Sequence, residues 1–409
     1  MQNSWERKVV VFGITMLFVI TSIASNVGIN VGEQLGCHPQ QSDDFDEKIL
    51  MYMQEAHMPS LVAYVIKNNT TMWSNAYGKY RYYQNKTASV DIVYPIGCIT
   101  KSIIATAIMQ LNETWNISLD ENVSKYLNFD LKNPNYKTVN ITFRMLLAHQ
   151  SSLANPYHRF VFYFFWLHIP MTHFRDYFVP GGCLYSEKVW NLTYPPGKGV
   201  CYCGPGYGIL GYIIENITGL TLEDYCQKYI FGPLNMNNTS FYFSKFDRNR
   251  ICGLYAWYAH IYFPLPIMEY GLPAPSGIKS TGEDMSHFLI MHASGGVYNG
   301  VRILSKESVD EMHEIQYPGY HEGAVQYGLG WYTVNLSGVL YGGYRGGYVG
   351  APALIRLRYA DHVGILMLWN QNTYLLLSLN ITRQDEENAI QQLANTLFEK
   401  ADEQCNDRK

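Results

Sequence analysis

YPIGCITKSIIATAIMQL, residues 94–111, carries the reading on which the rest depends. Gly97 supplies a turn, Ile103 to Leu111 is mostly apolar and no proline follows Pro95, so a helix is expected to start near Cys98. Cys98 and Lys101 then share one helix face, which aims a sulfur and an amine the same way. Lys101 is the only charged residue in the stretch. Burial among apolar neighbours lowers a lysine's pKa towards that of a usable base, and the N–H groups of a helix start favour a thiolate. A plainer reading fits the same residues: a buried cysteine acting as a small hydrophobe, beside a lysine that snorkels to the surface.

Working outward, residues 45–57 suggest a helix, Leu61 to Ile66 a buried strand, and 67–70 a turn into a second strand around Met72 to Tyr77. Ala353 to Arg358 and His362 to Asn370 form a second hairpin. Near the C-terminus Ile390, Leu393, Ala394, Leu397 and Phe398 make one apolar helical stripe. Between these ends, residues 98–255 read as mostly helical. The fold class expected is α+β: one antiparallel sheet built from N- and C-terminal segments (about 45–97 and 270–398), flanked by terminal helices, with an inserted mainly helical lobe (about 98–269). The cleft between the lobes is the expected ligand site, for a small molecule or a peptide or ester. HRFVFYFFWLH, residues 158–168, is too short to span a bilayer and is read as core, pocket wall or lipid contact.

Residues 1–24 carry a weakly basic start, an apolar run from Val9 to Ile23 and a small-residue site after Ala24, the pattern of a secretory signal peptide; a single-pass anchor is the alternative. A linker (25–44) and a short tail (399–409) bracket the domain. Thirteen Asn-X-Ser/Thr sequons, from Asn68 to Asn380, agree with a secreted or lumenal glycoprotein. Eight cysteines in such a compartment predict several disulfides, with Cys37 and Cys405 the first guess for a pair. A net charge of −4 without any basic block argues against nucleic acid. Membrane contact is confined to the N-terminal segment or the aromatic stretch. No metal site or cofactor is implied, since Cys201-Tyr202-Cys203 lacks zinc-ligand spacing.

Several phrases, in order, resemble the serine β-lactamase-related family, which includes class C β-lactamases, penicillin-binding DD-peptidases and esterases. IGCITKSIIATAIMQL (96–111) looks like its Ser-X-X-Lys helix, continued by SLDENVSKYL (118–127). ITFRMLLAHQSSL (141–153) is similar to the entry into its His-Thr-Ser-Gly-Leu stretch. The segment 194–241 resembles the one carrying Tyr-X-Asn. GIKSTGEDMSHFLI (277–290), RILSKESVDEM (302–312), YGLGW (327–331) and GGYRGGYVGA (342–351) resemble later signatures. The resemblance spans residues 45–398.

It implies Cys98 at the serine nucleophile's position, with Lys101 and Tyr202 as proton carriers. It also implies an oxyanion hole from the backbone N–H groups of Cys98 and Gly347, and a substrate cleft lined by Gly204, Tyr344, Arg345 and Gly346. Three positions depart from the family: cysteine replaces serine at 98, Gly204 replaces asparagine, and Tyr344 stands where lysine or histidine is usual. His149 is expected to pack or hydrogen-bond. The departures favour a non-catalytic or weakly active binding protein. The alternative is an acyl-transfer hydrolase, esterase- or peptidase-like, that uses Cys98, Lys101 and Tyr202.

Overall fold

A computed structural model describes residues 44–154, 168–258, 260–371 and 384–403. Six helices of eight residues or more occur among them: α1 (Asp44–Glu55), α2 (Thr100–Trp115), α3 (Gly204–Thr218), α4 (Gly282–Ala293), α5 (Lys306–His313) and α6 (Gln384–Glu403). One sheet collects β1 (Ser60–Lys67), β2 (Thr70–Arg81), β3 (Lys86–Thr87), β4 (Val325–Tyr327), β5 (Tyr332–Leu336), β6 (Val339–Tyr348), β7 (Ala351–Arg358) and β8 (Val363–Trp369). Their order is β4-β5-β6-β7-β8-β1-β2-β3, and every neighbouring pair is antiparallel. The joint is β1 against β8, Leu61 opposite Trp369, which closes N- and C-terminal segments into one sheet as expected.

Both strands of this joint are buried along nearly their whole length and read as mostly apolar runs, because both faces are covered. Leu61, Ala63 and Val65 face Ile49 and Met53 of α1 and Leu393 and Leu397 of α6. Val62, Tyr64 and Ile66 face the other way, into the large core shared with α2, α3 and α4. Ile390, Leu393, Ala394, Leu397 and Phe398 are all buried, and α6 runs on to Glu403 with Ala401 buried as well. Each large side chain of that stripe contributes roughly 1.5–3 kcal/mol of burial.

The structure adds detail to the sequence reading in two places and departs from it in one. A 3₁₀ turn, Gly97–Ile99, carries Cys98, and regular helix begins only at Thr100. The inserted, mainly helical lobe also holds a hairpin, in which Leu254–Tyr258 pairs with Ile261–Leu265. The several disulfides are not found among the described residues, since Cys98, Cys183, Cys203, Cys226 and Cys252 carry free thiols. Cys203, Cys226 and Cys252 are buried, and Cys226 and Cys252 serve as small apolar side chains. The Cys37–Cys405 pair, the N-terminal segment and residues 158–167 of the aromatic stretch lie outside the described residues.

Candidate active site

The site is assembled where the end of β6 meets the turn before α2. Gly97 has φ +51°, and a Cβ there would sit 2.5–2.7 Å from the backbone of Gly347. A Cβ on Gly346 would sit 2.0 Å from the Ile96 carbonyl oxygen. Glycine at both positions is what lets the strand lie against the turn. The approach brings the Gly347 N–H onto the sulfur of Cys98. On the other side, Ile96 N–H donates to the Ile278 carbonyl at 3.0 Å and Ile278 N–H to Thr100 Oγ1 at 3.2 Å. These two bonds fix the segment around Pro275 and Ser276 against the same turn.

Cys98 is half-buried, with its sulfur 3.6 Å from Ser276 Oγ. Lys101 is only 1% exposed, and its amine donates to the Pro275 carbonyl at 2.7 Å. The amine also lies 5.1 and 5.7 Å from the ring centroids of Tyr202 and Tyr207, within cation–π range. Burial pushes the Cys98 thiol up. The Lys101 charge, the Tyr202 and Ser276 hydroxyls and the Gly347 N–H outweigh it and bring the thiol down to about 7. Burial pushes Lys101 down, while its contact with Cys98 works in the opposite direction. Thiolate and ammonium therefore stabilise each other in a place that would expel either alone.

Tyr202 reaches the sulfur from the segment leading into α3. That helix is capped by Cys203, whose sulfur accepts from Gly206 N–H at 3.3 Å, and it has proline in its first turn. The Tyr202 hydroxyl bonds Cys98, and burial together with the neighbouring Cys98 charge holds it protonated, well above the usual phenol range. Behind it stands His149, 1% exposed, at φ +58°. Its Nδ1 meets Cys203 N–H at 3.1 Å and its Nε2 meets the Tyr344 hydroxyl at 3.2 Å. Burial, then the Lys101 charge, pushes His149 well below the ordinary histidine range, so its ring is neutral.

Of the residues singled out from sequence, Cys98, Lys101, Tyr202 and Gly347 come together, and His149 hydrogen-bonds as expected. Tyr344 and Gly346 lie on the site face of β6, Tyr344 buried. Gly204, the first residue of α3, is half-buried, and a Cβ there would meet only Pro275 Cβ at 3.8 Å. Arg345 is a correction. Strand alternation turns it to the opposite face, where it pairs with Glu387 of α6 and its guanidinium stands 6.0 Å over the Trp369 ring. Sequence reasoning missed Pro275 and Ser276, which lie immediately before the GIKSTG phrase it did recognise.

The beta-lactamase family model matches residues 45–378. Beta-lactamase-like protein 2 of Dictyostelium discoideum is 26% identical over 254 residues, which cover 60% of this chain and 44% of that relative. The chain spans less than half the length of the curated relatives it matches. Among solved structures, the octameric penicillin-binding protein homologue from Pyrococcus abyssi is similar at TM-score 0.69 and 26% identity, over 83% of this chain and 78% of that one. The D-amino acid amidase from Ochrobactrum anthropi SV3, complexed with L-phenylalanine amide, is similar in fold at TM-score 0.67 and 18% identity, over 88% of this chain and 100% of that one.

Proposed function

Because this chain belongs to the beta-lactamase family, we propose that it is an acyl-transfer hydrolase in which Cys98 stands at the family's serine position and attacks as a thiolate. One observation carries the reading: Lys101, Tyr202, Ser276 and the Gly347 N–H all converge on a single sulfur and lower its pKa to about 7. A cysteine that merely filled space would be driven the other way, as burial drives the thiol of Cys252 up.

In the proposed reaction, Lys101 holds the proton given up by the thiol. The sulfur adds to the carbonyl carbon of an ester or amide, and the oxygen gains negative charge facing the N–H groups of Cys98 and Gly347. As the bond to the leaving group breaks, the Tyr202 hydroxyl protonates the departing oxygen or nitrogen and recovers its proton from Lys101. Water then adds to the thioester and gives its proton to the same pair. The carboxylic acid leaves and the thiolate returns. The substrate proposed is a small ester or amide in the cleft between the lobes, in keeping with the amino-acid amide held by the amidase of similar fold.

The second reading is the binding protein that keeps the cleft with weak or no chemistry. It rests on Gly204, where no side-chain amide is present to hold a substrate carbonyl. Incubation with fluorogenic short-chain esters, followed by mass spectrometry of the intact chain, separates the two. Turnover and an acyl adduct on Cys98 are expected. Both should vanish in Cys98→Ala, and turnover should fall by ~10²-fold or more in Lys101→Ala. No turnover, together with no adduct from activated esters, would sink the hydrolase reading.

A further inference from the structure

Four polar groups stand in file behind the sulfur of Cys98, and their donor and acceptor roles are forced from one end. The Cys203 N–H can only donate, so its contact makes His149 Nδ1 an acceptor. A neutral imidazole has one acceptor and one donor nitrogen, which leaves the proton on Nε2. That N–H donates to the Tyr344 hydroxyl oxygen at 3.2 Å. That leaves the Tyr344 proton for the neighbouring Tyr202 oxygen, and the Tyr202 proton for the sulfur beside it. Turning any member round would set the Cys203 N–H against another N–H, or leave a buried donor without an acceptor.

The file is also held mechanically. The His149 carbonyl accepts from Cys201 N–H at 2.9 Å, and its ring packs 4.6 Å from Tyr202 and 4.8 Å from Tyr327. Tyr344 is 2% exposed and packs 5.7 Å from Tyr332. An anchored imidazole therefore ends in a hydroxyl whose direction is fixed, beside the Tyr202 hydroxyl that, with Ser276, reaches the sulfur.

We propose that Tyr344, anchored by His149, is a positioning residue that aims the Tyr202 hydroxyl at Cys98 and so sets the reactivity of the sulfur through Tyr202. The consequence for turnover rests on the hydrolase reading, whereas the effect on the thiol does not. Removing the Tyr344 hydroxyl takes a donor from the Tyr202 oxygen. The Tyr202 O–H then becomes a weaker donor that is free to swing away.

The test is the rate of Cys98 alkylation by iodoacetamide against pH in the intact chain. Tyr344→Phe should raise the midpoint and slow alkylation at pH 7 several-fold. In a Tyr202→Phe background the same substitution should add nothing, because its route is already cut. In ester turnover, kcat should fall with KM little changed. An unmoved midpoint overturns the inference, as does an equal shift with and without the Tyr202 hydroxyl. Should Tyr344→Phe fail to fold, nitrogen-15 NMR of the unaltered protein decides: His149 is expected as the neutral Nε2–H tautomer, and an Nδ1–H ring overturns the proposal. A shifted midpoint without any ester turnover would instead sink the hydrolase reading and leave this inference standing.

Discussion

At Cys98 burial is opposed by several neighbouring groups, of which the Lys101 ammonium is the strongest. Desolvation alone would make the thiol inert, while the Lys101 charge is the largest influence pulling the other way. A cysteine is charged only when deprotonated, so a neighbouring cation lowers its pKa and removal of that cation raises it. Lys101→Met keeps the bulk and drops the charge. The alkylation midpoint should climb from about 7 past the ordinary thiol value of about 8.5. The thiolate fraction at pH 7 then drops from about half to about 3% or less, and the alkylation rate at pH 7 falls by about fifteenfold or more. A midpoint that stays near neutrality would assign the depression to the hydroxyls instead. The spacing of Cys98 and Lys101 made this pair visible in the sequence, because i and i+3 share a helix face. Ser276 and Pro275 were not visible, because they reach the sulfur and the amine across the chain from 174 residues or more away.

At the scale of elements, the decisive contact is a strand end against a turn, with no side chain between them. Gly346 and Gly347 look alike in sequence but occupy different surroundings. A Cβ on Gly346 would run into the Ile96 carbonyl oxygen, whereas one on Gly347 would meet nothing within 4 Å. Gly346→Ala should therefore push β6 away from the nucleophile turn and destabilise the fold by about 1–3 kcal/mol. Alkylation of Cys98 should slow as well, since the Gly347 N–H is displaced with the strand. Gly347→Ala should melt like the unaltered protein. Equal melting temperatures for the two variants would show that the turn yields easily. Period-two alternation was already present in Tyr344-Arg345-Gly346 and assigns Arg345 to the face away from Tyr344 and Gly346. Grouping three consecutive residues as cleft lining overlooked it. The α6 stripe and the β7–β8 hairpin were legible for the opposite reason, since there periodicity alone decides which side is buried.

Across the whole molecule, apolar runs near both chain ends sufficed to foresee a sheet made of distant segments. The hairpin Leu254–Leu265 escaped because its aromatic residues follow no helix or strand period that a single stretch betrays. What the composition also hid is how many histidines the fold buries in neutral form. His149 lies behind the site. His292, on α4, and His313, at the end of α5, pack with Trp331, His292 at 4.5 Å and His313 at 4.7 Å between ring centroids. Neither ring nitrogen of His292 has a hydrogen-bond partner among the described residues. Burial pushes His292 and His149 well below the ordinary value of 6.5, and His313 down to about 3, where nearby Asp310 opposes the shift and His362 reinforces it. For a base whose folded pKa is depressed, the unfolded chain takes up the proton first. The stabilisation is therefore complete above about 6.5 and is lost as pH falls from there towards the depressed values. Each histidine costs about 1.4 kcal/mol per pH unit in that window, so three together set a slope of about 4 kcal/mol per unit. Urea unfolding at pH 7.5, 6 and 5 should show stability falling steeply through this range, most of which lies above ordinary carboxylate titration. His292→Phe keeps the ring contacts with Phe288 and Trp331 and removes one titrating group, so the slope should drop by about a third. A flat profile between pH 7 and 5 would mean that these rings accept protons in the folded state despite their burial.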